Sequence, residues 1–274
     1  MDRSENCSLF THKLQIKKLY KKGATMKLIR VFYRGKTFYG ALTDQKVYPL
    51  DKEAKQFGTI PLKDIQLLPL VVPSKIICVG LNYKAHAREL NMEIPEEPVL
   101  FLKPPSSIIG TGEEIVYPKM SKSVHYEGEL AVIIGKQCKN VSPKDAPDYI
   151  FGFTCANDVT ARDLQQKDGQ WTRAKGFDTF CPVGPWIETE FRHMDDLTLK
   201  TIVNGELKQE GQTSDMIVTP FELVSFISSI MTLLPGDVIL TGTPPGVGEL
   251  KPGDEVHVEI EGLGTLINKV VEEK

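Results

Sequence analysis

The sequence predicts an α+β fold that is mainly β, and three observations lead to this prediction. Strand-length runs of β-branched and aromatic residues recur along most of the chain, turn signals separate them, and only one stretch has a strong helix signature. With 274 residues, 41% hydrophobic and 25% charged, the chain is long enough for one large domain or for a large and a small one. This composition excludes whole-chain disorder, collagen and coiled coil.

The first 25 residues differ in charge from the rest of the chain. They contain six Lys or Arg and two Asp or Glu, and they lack the apolar run of a signal peptide. We interpret residues 1–25 as a basic extension, which is either mobile or precedes a natural start at Met26. Nucleic-acid binding by this segment is a remote alternative, because the remainder of the chain is acidic.

Strand-like sequence begins at Met26 and predicts a small antiparallel meander. We assign residues 26–70 to a small N-terminal domain, which closes at the proline-marked stretch from Pro69 to Pro73. Residues 71–274 form the predicted main domain. The strand signals of the small domain are KLIRVFY, TFYGAL and KVYPL.

The main domain begins with strand signals that are interrupted by one short segment of another kind. SKIICVG predicts a buried strand, and NYKAHARELN, which follows it, predicts a short helix or a structured loop. Two longer runs then predict strands, and the main domain is therefore expected to be mostly β. These runs are SVHYEGELAVIIG and YIFGFTCANDVT.

Turn and cap residues punctuate the C-terminal third of the chain. Asn204-Gly205 predicts a two-residue hairpin. Thr219, Pro220 and Glu222 form the signature of a capping box with proline at the first helical position, which predicts a helix through Met231. Two Pro-Gly-Asp sequences, at 235–237 and 252–254, predict type II turns that lead into strands.

Charge and cysteine usage indicate where the protein acts. The five cysteines lie far apart, and an odd number cannot all pair within one chain, which favours a reducing cytoplasm. No stretch reaches the ~18–20 apolar residues that span a bilayer. The net charge of -3 provides no global field for polyanions, so we expect neither a membrane nor a nucleic-acid partner.

The segment HYEGELAVIIG places two carboxylates close together. Side chains alternate along a strand, so Glu127 and Glu129 point to the same face, with His125 beside them. A solvated strand face is the alternative, but the apolar run LAVIIG that follows makes water exposure less favourable. Repulsion between two carboxylates about 4 Å apart is on the order of 4 kcal/mol at an effective dielectric of about 20, so a buried pair requires a proton or a cation.

Asp158 follows the next strand-like run and adds a third carboxylate, although a single aspartate at such a place is commonly a turn or cap residue. Three carboxylates form an all-oxygen site that suits Mg²⁺, Mn²⁺ or Ca²⁺. The five histidines show no zinc-site spacing.

Three further segments carry candidate chemistry. His86 and Glu89 share one face of a helical turn, where the carboxylate can hold the imidazole as a general base, with a surface salt bridge as the alternative. Lys175 can bind a substrate carboxylate, and the loop from Thr241 to Gly248 can offer backbone N–H groups. This loop lacks the ending of a P-loop, and no dinucleotide-binding unit or G-x-S-x-G hydrolase motif is present.

Six sequence motifs, which together span about residues 74–248, occur in the same order as in the fumarylacetoacetate hydrolase family. Through these motifs the chain resembles that family. The resemblance implies a mixed β-roll catalytic domain behind the small N-terminal domain, usually in a homodimer, with a divalent metal at its centre. The motifs are VGLNYKAHARELN, FLKPPSSIIG, HYEGELAVIIG, NDVTARDLQ, RAKGFDTFCPVGP and LLPGDVILTGTPPGVG.

The resemblance also implies roles for individual residues. Glu127, Glu129 and Asp158 match the metal ligands, and His86 and Glu89 match a pair on a mobile lid that activates water. The remaining matches are Lys175 near metal and substrate, Arg162, Gln165 and Thr243 at the substrate's keto-acid end, and Thr179 behind the metal ligands.

The sequence differs from the larger members of this family at one expected metal ligand, and this difference narrows the range of expected substrates. Larger members of the family bring a further aspartate to the metal from just upstream of the lid histidine, whereas residues 79–82 contain no acid. The pattern resembles the shorter members, which include acylpyruvate hydrolases, oxaloacetate decarboxylases and 2-hydroxyhepta-2,4-diene-1,7-dioate isomerases, so fumarylacetoacetate itself is less favoured.

We therefore expect a divalent-metal-dependent enzyme that acts on 2-oxo acids. The first hypothesis is hydrolysis of the carbon–carbon bond of acylpyruvates, with pyruvate leaving as a metal-bound enolate. Decarboxylation of oxaloacetate and then isomerisation of a dienoic acid are the alternatives. A remote alternative is a non-catalytic protein that binds a metal and a small acid.

Overall fold

The computed structural model describes residues 27–89, 93–190 and 196–274. The predicted basic extension, residues 1–25, and Met26 lie outside these ranges, so their interpretation stays a prediction. Strands dominate the described chain and its helices are few and short, which confirms the α+β, mainly β class.

The described residues form twenty strands, four α-helices and five short 3-10 helices. The strands are β1 (Lys27–Tyr33), β2 (Lys36–Thr43), β3 (Lys46–Pro49), β4 (Ile60–Pro61), β5 (Gln66–Leu68), β6 (Ile76–Val79), β7 (Leu100–Lys103), β8 (Ile108–Ile109), β9 (Glu114–Tyr117), β10 (Val124–Tyr126), β11 (Gly128–Ile134), β12 (Ile150–Asn157), β13 (Thr160–Ala161), β14 (Cys181–Glu188), β15 (Thr198–Val203), β16 (Glu206–Gln212), β17 (Val238–Leu240), β18 (Gly248–Leu250), β19 (Glu255–Ile260) and β20 (Gly264–Glu272). The α-helices are α1 (Lys84–Glu89), α2 (Arg162–Asp168), α3 (Thr172–Lys175) and α4 (Pro220–Ile230), and the 3-10 helices are Ala54–Phe57, Leu62–Asp64, Pro105–Ser107, Ala146–Asp148 and Thr213–Asp215.

Twelve of these strands form one mixed sheet, which we call the main sheet. Its path is β4-β3-β2-β1-β14-β12-β11-β17-β6-β7, with β5 beside β1 and β8 beside β14. Neighbouring strands are antiparallel except for β17 with β6 and β8 with β14, which are parallel. The sheet is therefore mixed, as expected from the resemblance.

The centre of the main sheet is buried on both faces. Every residue of β11 and β12 is buried. Leu130 and Val132 belong to one hydrophobic cluster, whereas Ala131 and Ile133 belong to another, because successive side chains of a strand point to opposite faces. The uninterrupted apolar sequence of β11 thus reflects two cores, one on each side of the sheet.

The N-terminal strands form the expected antiparallel meander, in the order β1-β2-β3-β4. Strand β1 also pairs with β14 of the main domain, with Lys27 opposite Glu188 and Leu28 opposite Ile187. Hydrogen bonds therefore run from the meander into the main domain. The division of the chain into domains near residue 70 stays a prediction.

Two smaller sheets complete the architecture of the described chain. One has the order β13-β10-β18 and the other the order β16-β15-β19-β20-β9. The chain passes between the main sheet and the three-stranded sheet at three places: at Glu127, at residues 158–159 and at residues 241–247. Because β10 pairs with both β13 and β18, while β11 pairs with both β12 and β17, these three crossings lie side by side.

Local signals in the C-terminal third are confirmed. Thr219 caps α4 by accepting the Glu222 N–H, and the Glu222 side chain accepts the Thr219 N–H. Gly236 and Gly253 have φ values of 88° and 99°, as the second central position of a type II turn requires. The hairpin residue Asn204 joins β15 to β16 with a φ of 52°.

Asp237, the last residue of the first Pro-Gly-Asp turn, joins β17 to the segment before β6. Its buried carboxylate accepts hydrogen bonds from the backbone N–H groups of Ser74, Lys75 and Leu234, and from the Ser74 hydroxyl and the Lys75 ammonium. We expect Asp237→Asn to lower the free energy of unfolding by about 2 kcal/mol, because it weakens charge-assisted hydrogen bonds in a buried site. Urea denaturation measures this loss.

Asp254, the last residue of the second Pro-Gly-Asp turn, provides the matched control. Its carboxylate is partly exposed and accepts hydrogen bonds from Lys251 N–H and the Asn204 amide. Asp254→Asn should therefore cost less than Asp237→Asn. Equal losses for the two variants would contradict the special role of the buried aspartate.

Two further features concern the helices and the cysteines. Across the described residues, no helix has both the length and the apolar character to cross a membrane. Cys78, Cys138, Cys155 and Cys181 are buried, free thiols. Cys7 lies outside the described residues.

Candidate active site

Three carboxylates meet where the chain passes between the two sheets. Glu127 lies between β10 and β11, Glu129 is the second residue of β11, and Asp158 follows β12. One oxygen from each lies within 4.8 Å of the others, and all three residues are buried. The structure thus brings together the three residues that were predicted as ligands of a hard cation.

A buried lysine lies against two of these carboxylates. Lys175, the last residue of α3, donates hydrogen bonds from Nζ to Glu127 Oε2 at 2.9 Å and to Asp158 Oδ2 at 2.7 Å. Its Nζ also lies 4.9 Å from the centre of the Phe101 ring. Because an ammonium is costly to bury without partners, these two carboxylates stabilise Lys175 at the site.

Arg162 is a second cation at the cluster and connects Gln165 to it. The Arg162 guanidinium donates from Nη2 to Glu127 Oε1 and from Nη1 to Gln165 Oε1. Both residues lie on α2, three positions apart, which places them on one face of that helix. The structure therefore brings two of the predicted substrate-binding residues to the carboxylates.

Lys103, a third cation, was not predicted as a site residue. It is the last residue of β7, it is 1% exposed, and its Nζ lies 2.7 Å from Asp158 Oδ1. This contact is an ion pair and not a well-aligned hydrogen bond, since Asp158 Oδ1 has no hydrogen-bond partner. The Nζ hydrogen bonds go to the carbonyls of Val159, Lys175 and Phe180.

The pKa values of the two glutamates shift in opposite directions. Burial raises the pKa of Glu127, but the charges of Lys175 and Arg162 outweigh burial and hold that pKa below its usual range. Burial and then the charges of Asp158 and Glu127 hold the pKa of Glu129 well above its usual value. Burial also lowers the pKa of Lys175, but Asp158 and Glu127 reverse this effect and raise it. Glu129 is therefore the carboxylate that gains most from a cation.

Glu129 also shows why the cluster fits a metal. Its carboxylate accepts the Gly242 N–H at 2.6 Å, and none of the ion pairs between described residues includes it. A buried carboxylate without a cation is unfavourable, and three carboxylates are the donor set of a hard divalent ion. Glu127, Glu129 and Asp158 thus fit Mg²⁺, Mn²⁺ or Ca²⁺.

The predicted pair of His86 and Glu89 forms on α1. His86 Nδ1 lies 2.9 Å from Glu89 Oε2, and His86 is 6% exposed. The Glu89 carboxylate also accepts the Gly246 N–H, at 3.1 Å to Oε1 and 3.3 Å to Oε2. The imidazole is therefore held through its Nδ1 by a carboxylate that is itself anchored.

The loop of residues 241–247 connects the pair to the carboxylates. Asn82, just before α1, donates from its amide to Thr241 O at 2.7 Å, and Glu89 at the end of α1 accepts from Gly246 N–H. The same loop donates Gly242 N–H to Glu129. Helix α1 is thus bound at both ends to the loop that also binds one of the carboxylates. Asn82 was not predicted as a site residue.

The last two predicted site residues, Thr243 and Thr179, make hydrogen bonds to the backbone. The Thr243 hydroxyl donates to Gly128 O at 2.8 Å, next to the two glutamates. Thr179 Oγ1 accepts the Val116 N–H at 2.9 Å, which connects it to β9. The roles of Thr243 toward the substrate and of Thr179 behind the metal ligands stay predictions.

Comparisons with known proteins find matches to this chain in both sequence and structure. Residues 75–271 match the sequence model of the fumarylacetoacetate (FAA) hydrolase C-terminal domain. The chain is 46% identical over 230 residues to the human mitochondrial oxaloacetate tautomerase FAHD2A. The aligned region covers 80% of this chain and 73% of the relative.

Two solved structures show the same fold. A 5-carboxymethyl-2-hydroxymuconate delta-isomerase from Mycobacterium smegmatis is 45% identical, with a TM-score of 0.83, over 91% of this chain and 100% of the other. A maleylpyruvate hydrolase from Sphingobium sp. SYK-6 is 32% identical, with a TM-score of 0.77, over 90% of this chain and 100% of the other. The relatives thus include a tautomerase, an isomerase and a hydrolase.

Proposed function

Because the chain belongs to the fumarylacetoacetate hydrolase family, we propose that it is a divalent-cation-dependent enzyme that transfers a proton on a small 2-oxo acid. The proposed reaction is keto–enol tautomerisation, in which the enol loses its O–H proton and gains a proton at C3. The observation that carries this proposal is the arrangement of one loop, residues 241–247, which binds both the carboxylate cluster and the His86–Glu89 pair.

Glu127, Glu129 and Asp158 would hold the cation. When bound, a divalent cation supplies positive charge that polarises the 2-oxo group of the substrate. Lys175 and Arg162 keep the local charge balanced against the three carboxylates. Arg162 also has five N–H donors, and those that do not contact Glu127 or Gln165 can bind the substrate carboxylate.

His86 would transfer the proton. Its Nδ1 faces Glu89, so the neutral imidazole that donates from Nδ1 to this carboxylate leaves Nε2 as the basic nitrogen. Glu89 stabilises the imidazolium that forms when Nε2 accepts a proton. The Gly246 N–H fixes the orientation of Glu89.

Hydrolysis of acylpyruvates is the second candidate function. The same histidine can take a proton from water, and the relative from Sphingobium is named a maleylpyruvate hydrolase. We place tautomerisation first because the relatives named tautomerase and isomerase are 46% and 45% identical to the chain, against 32% for this hydrolase. This order reverses the expectation from the sequence, which ranked hydrolysis first.

Product identification by NMR tests these proposals. The EDTA-stripped protein would be incubated with oxaloacetate and, separately, with acetylpyruvate, with and without Mg²⁺, beside Mg²⁺ without protein. Tautomerisation predicts a faster approach to keto–enol equilibrium with protein and Mg²⁺, without carbon–carbon cleavage. Acetate and pyruvate from acetylpyruvate would support hydrolysis, and carbon dioxide with pyruvate from oxaloacetate would support decarboxylation. No effect on either substrate would contradict both proposed functions.

The variant His86→Ala tests the proton-transfer role. We expect the Mg²⁺-dependent rate with oxaloacetate to fall about 100-fold or more, because the general acid–base group is removed. The rate would be measured by following the enol signal.

His257→Ala is the matched control for His86→Ala. His257 lies on β19 and also faces a glutamate, with its Nε2 2.8 Å from Glu255 Oε1, but it lies outside the site. We expect this variant to keep the rate of the wild-type protein. A His86→Ala variant that is as active as His257→Ala would remove His86 from the mechanism.

We also propose that the enzyme is a cytoplasmic homodimer. The family resemblance supports the homodimer, and the buried free thiols are compatible with a reducing compartment. Light scattering during gel filtration measures the oligomeric state, and a monomer would contradict this proposal.

A further inference from the structure

Gln209 is buried in a strand that is otherwise solvent-facing or only partly covered. Within β16 it has 1% exposure, and no other residue of this strand is buried. A buried amide is unfavourable unless its oxygen and nitrogen both find hydrogen-bond partners. The partners of Gln209 therefore show what this residue does in the fold.

The Gln209 side chain belongs to a closed ring of hydrogen bonds. Its Oε1 accepts the Gly128 N–H at 3.0 Å, and its Nε2 donates to Thr243 Oγ1 at 2.8 Å. The Thr243 hydroxyl in turn donates to Gly128 O at 2.8 Å. Both peptide groups of Gly128 are thus bound by the same pair of side chains.

Gly128 is the residue between the two glutamates of the carboxylate cluster. The hydrogen bonds to its N–H and to its carbonyl therefore fix the backbone on the side of Glu127 and on the side of Glu129. The surroundings of Gly128 are also tightly packed, because a Cβ on this residue would clash with Thr201 Oγ1. The ring thus holds the one residue that separates the two carboxylates.

Gln209 also binds the loop of residues 241–247. Its Nε2 donates a second hydrogen bond, to Pro244 O at 2.8 Å. This loop donates Gly242 N–H to Glu129 and Gly246 N–H to Glu89. One amide therefore connects the backbone of the glutamate pair to the loop that holds the other parts of the site.

We propose that Gln209 is a positioning residue that sets the spacing of Glu127 and Glu129 for divalent-cation binding through its hydrogen-bond ring with Thr243 and Gly128. It acts through the backbone, because its hydrogen bonds go to Gly128, Thr243 and Pro244 and to none of the three carboxylates. This inference rests on the proposed cation site.

The experiment measures Mn²⁺ binding to EDTA-stripped protein by isothermal titration calorimetry, well below the melting temperature of each variant. Gln209→Met keeps the length of the side chain and removes both hydrogen-bonding groups. We expect it to weaken Mn²⁺ binding about 10-fold or more, since residues that orient metal ligands typically contribute 10–100-fold to affinity.

Gln212→Met is the matched control on the same strand. Gln212 hydrogen-bonds to the Thr198 side chain, away from the carboxylates, so this variant should bind Mn²⁺ as the wild-type protein does. If Gln209→Met lowers stability without changing the Mn²⁺ affinity, its role is structural only and the proposal is wrong.

Two variants of Thr243 test the ring independently of Gln209. Thr243→Val removes the hydroxyl and should weaken Mn²⁺ binding, whereas Thr243→Ser keeps the hydroxyl and should restore it. Should Gln209→Met fail to fold, equal Mn²⁺ affinities of these two variants would still overturn the proposal. A wild-type protein that does not bind Mn²⁺ would instead contradict the proposed cation site itself.

Discussion

The EDTA-stripped Glu129→Gln variant is expected to be at least as stable as the wild-type protein, although it loses divalent-cation affinity. Burial and the neighbouring carboxylates raise the pKa of Glu129, so the charged form of this side chain is unfavourable without a cation. Glutamine has the same shape and no charge, and its single amide oxygen, Oε1, can still accept the Gly242 N–H. The substitution therefore removes repulsion from the metal-free protein.

The same substitution removes one of three anionic ligands from the cation. We expect Mg²⁺ and Mn²⁺ affinity to fall by about 1,000-fold or more, which exceeds the 10–100-fold typical of residues that only orient a ligand. Calorimetry measures the affinity, and thermal unfolding in EDTA measures the stability.

Glu261→Gln is the matched control, because Glu261 is exposed in the turn between β19 and β20. It should change neither cation affinity nor the melting temperature by much. A Glu129→Gln variant that binds Mn²⁺ like the control would show that the carboxylate cluster is not the cation site.

Much of the fold and the core of the site follow from local sequence. The alternation of side chains in HYEGELAVIIG places Glu127 and Glu129 on one face, and the apolar run after them indicates burial. The structure adds that the strand is interrupted at Glu127, where the chain passes from the three-stranded sheet to the main sheet. Local pattern does not reveal this crossing, because it depends on which strands pair.

The residues that sequence analysis missed are those that reach the site through tertiary contacts. Lys103 lies at the end of an edge strand, where a lysine is ordinarily exposed. It is buried because α3 packs nearby and its Lys175 carbonyl accepts the Lys103 ammonium. A lysine at the end of the apolar run VLFLK, directly before two prolines, was the available signal.

The sequence gives even less indication that Gln209 is buried than it does for Lys103. Its strand has the sequence ELKQEGQ, which is polar throughout and typical of a solvated hairpin arm. Its burial arises because the loop of residues 241–247 and the glutamate pair lie against this one position. Residues that position a site from another sheet leave no periodic pattern in their own strand.

The Lys175→Met variant is expected to lose about 3–5 kcal/mol of stability in the metal-free state, because it leaves two buried carboxylates without their shared cation. Methionine keeps most of the unbranched aliphatic side chain and removes the ammonium together with its contact to the Phe101 ring, so the loss reports mainly on charge. Thermal unfolding in EDTA measures it. Lys167→Met, on the exposed face of α2, is the matched control and should be nearly neutral.

Divalent cations should rescue Lys175→Met more than they stabilise the wild-type protein. Without the ammonium, Glu127 and Asp158 offer more uncompensated negative charge to the ion, so the cation affinity of the variant rises. A ligand that binds only the folded state stabilises that state, and the stabilisation grows with the logarithm of the ratio of ligand concentration to Kd. A larger Mg²⁺-induced increase in melting temperature for Lys175→Met than for Lys167→Met would therefore place the cation beside the position of the lysine. Turnover should nevertheless not return with stability, because a bound cation restores the charge of the site but not the ammonium that is expected to orient the substrate. Rescue of stability together with full activity would show that Lys175 has only a structural role.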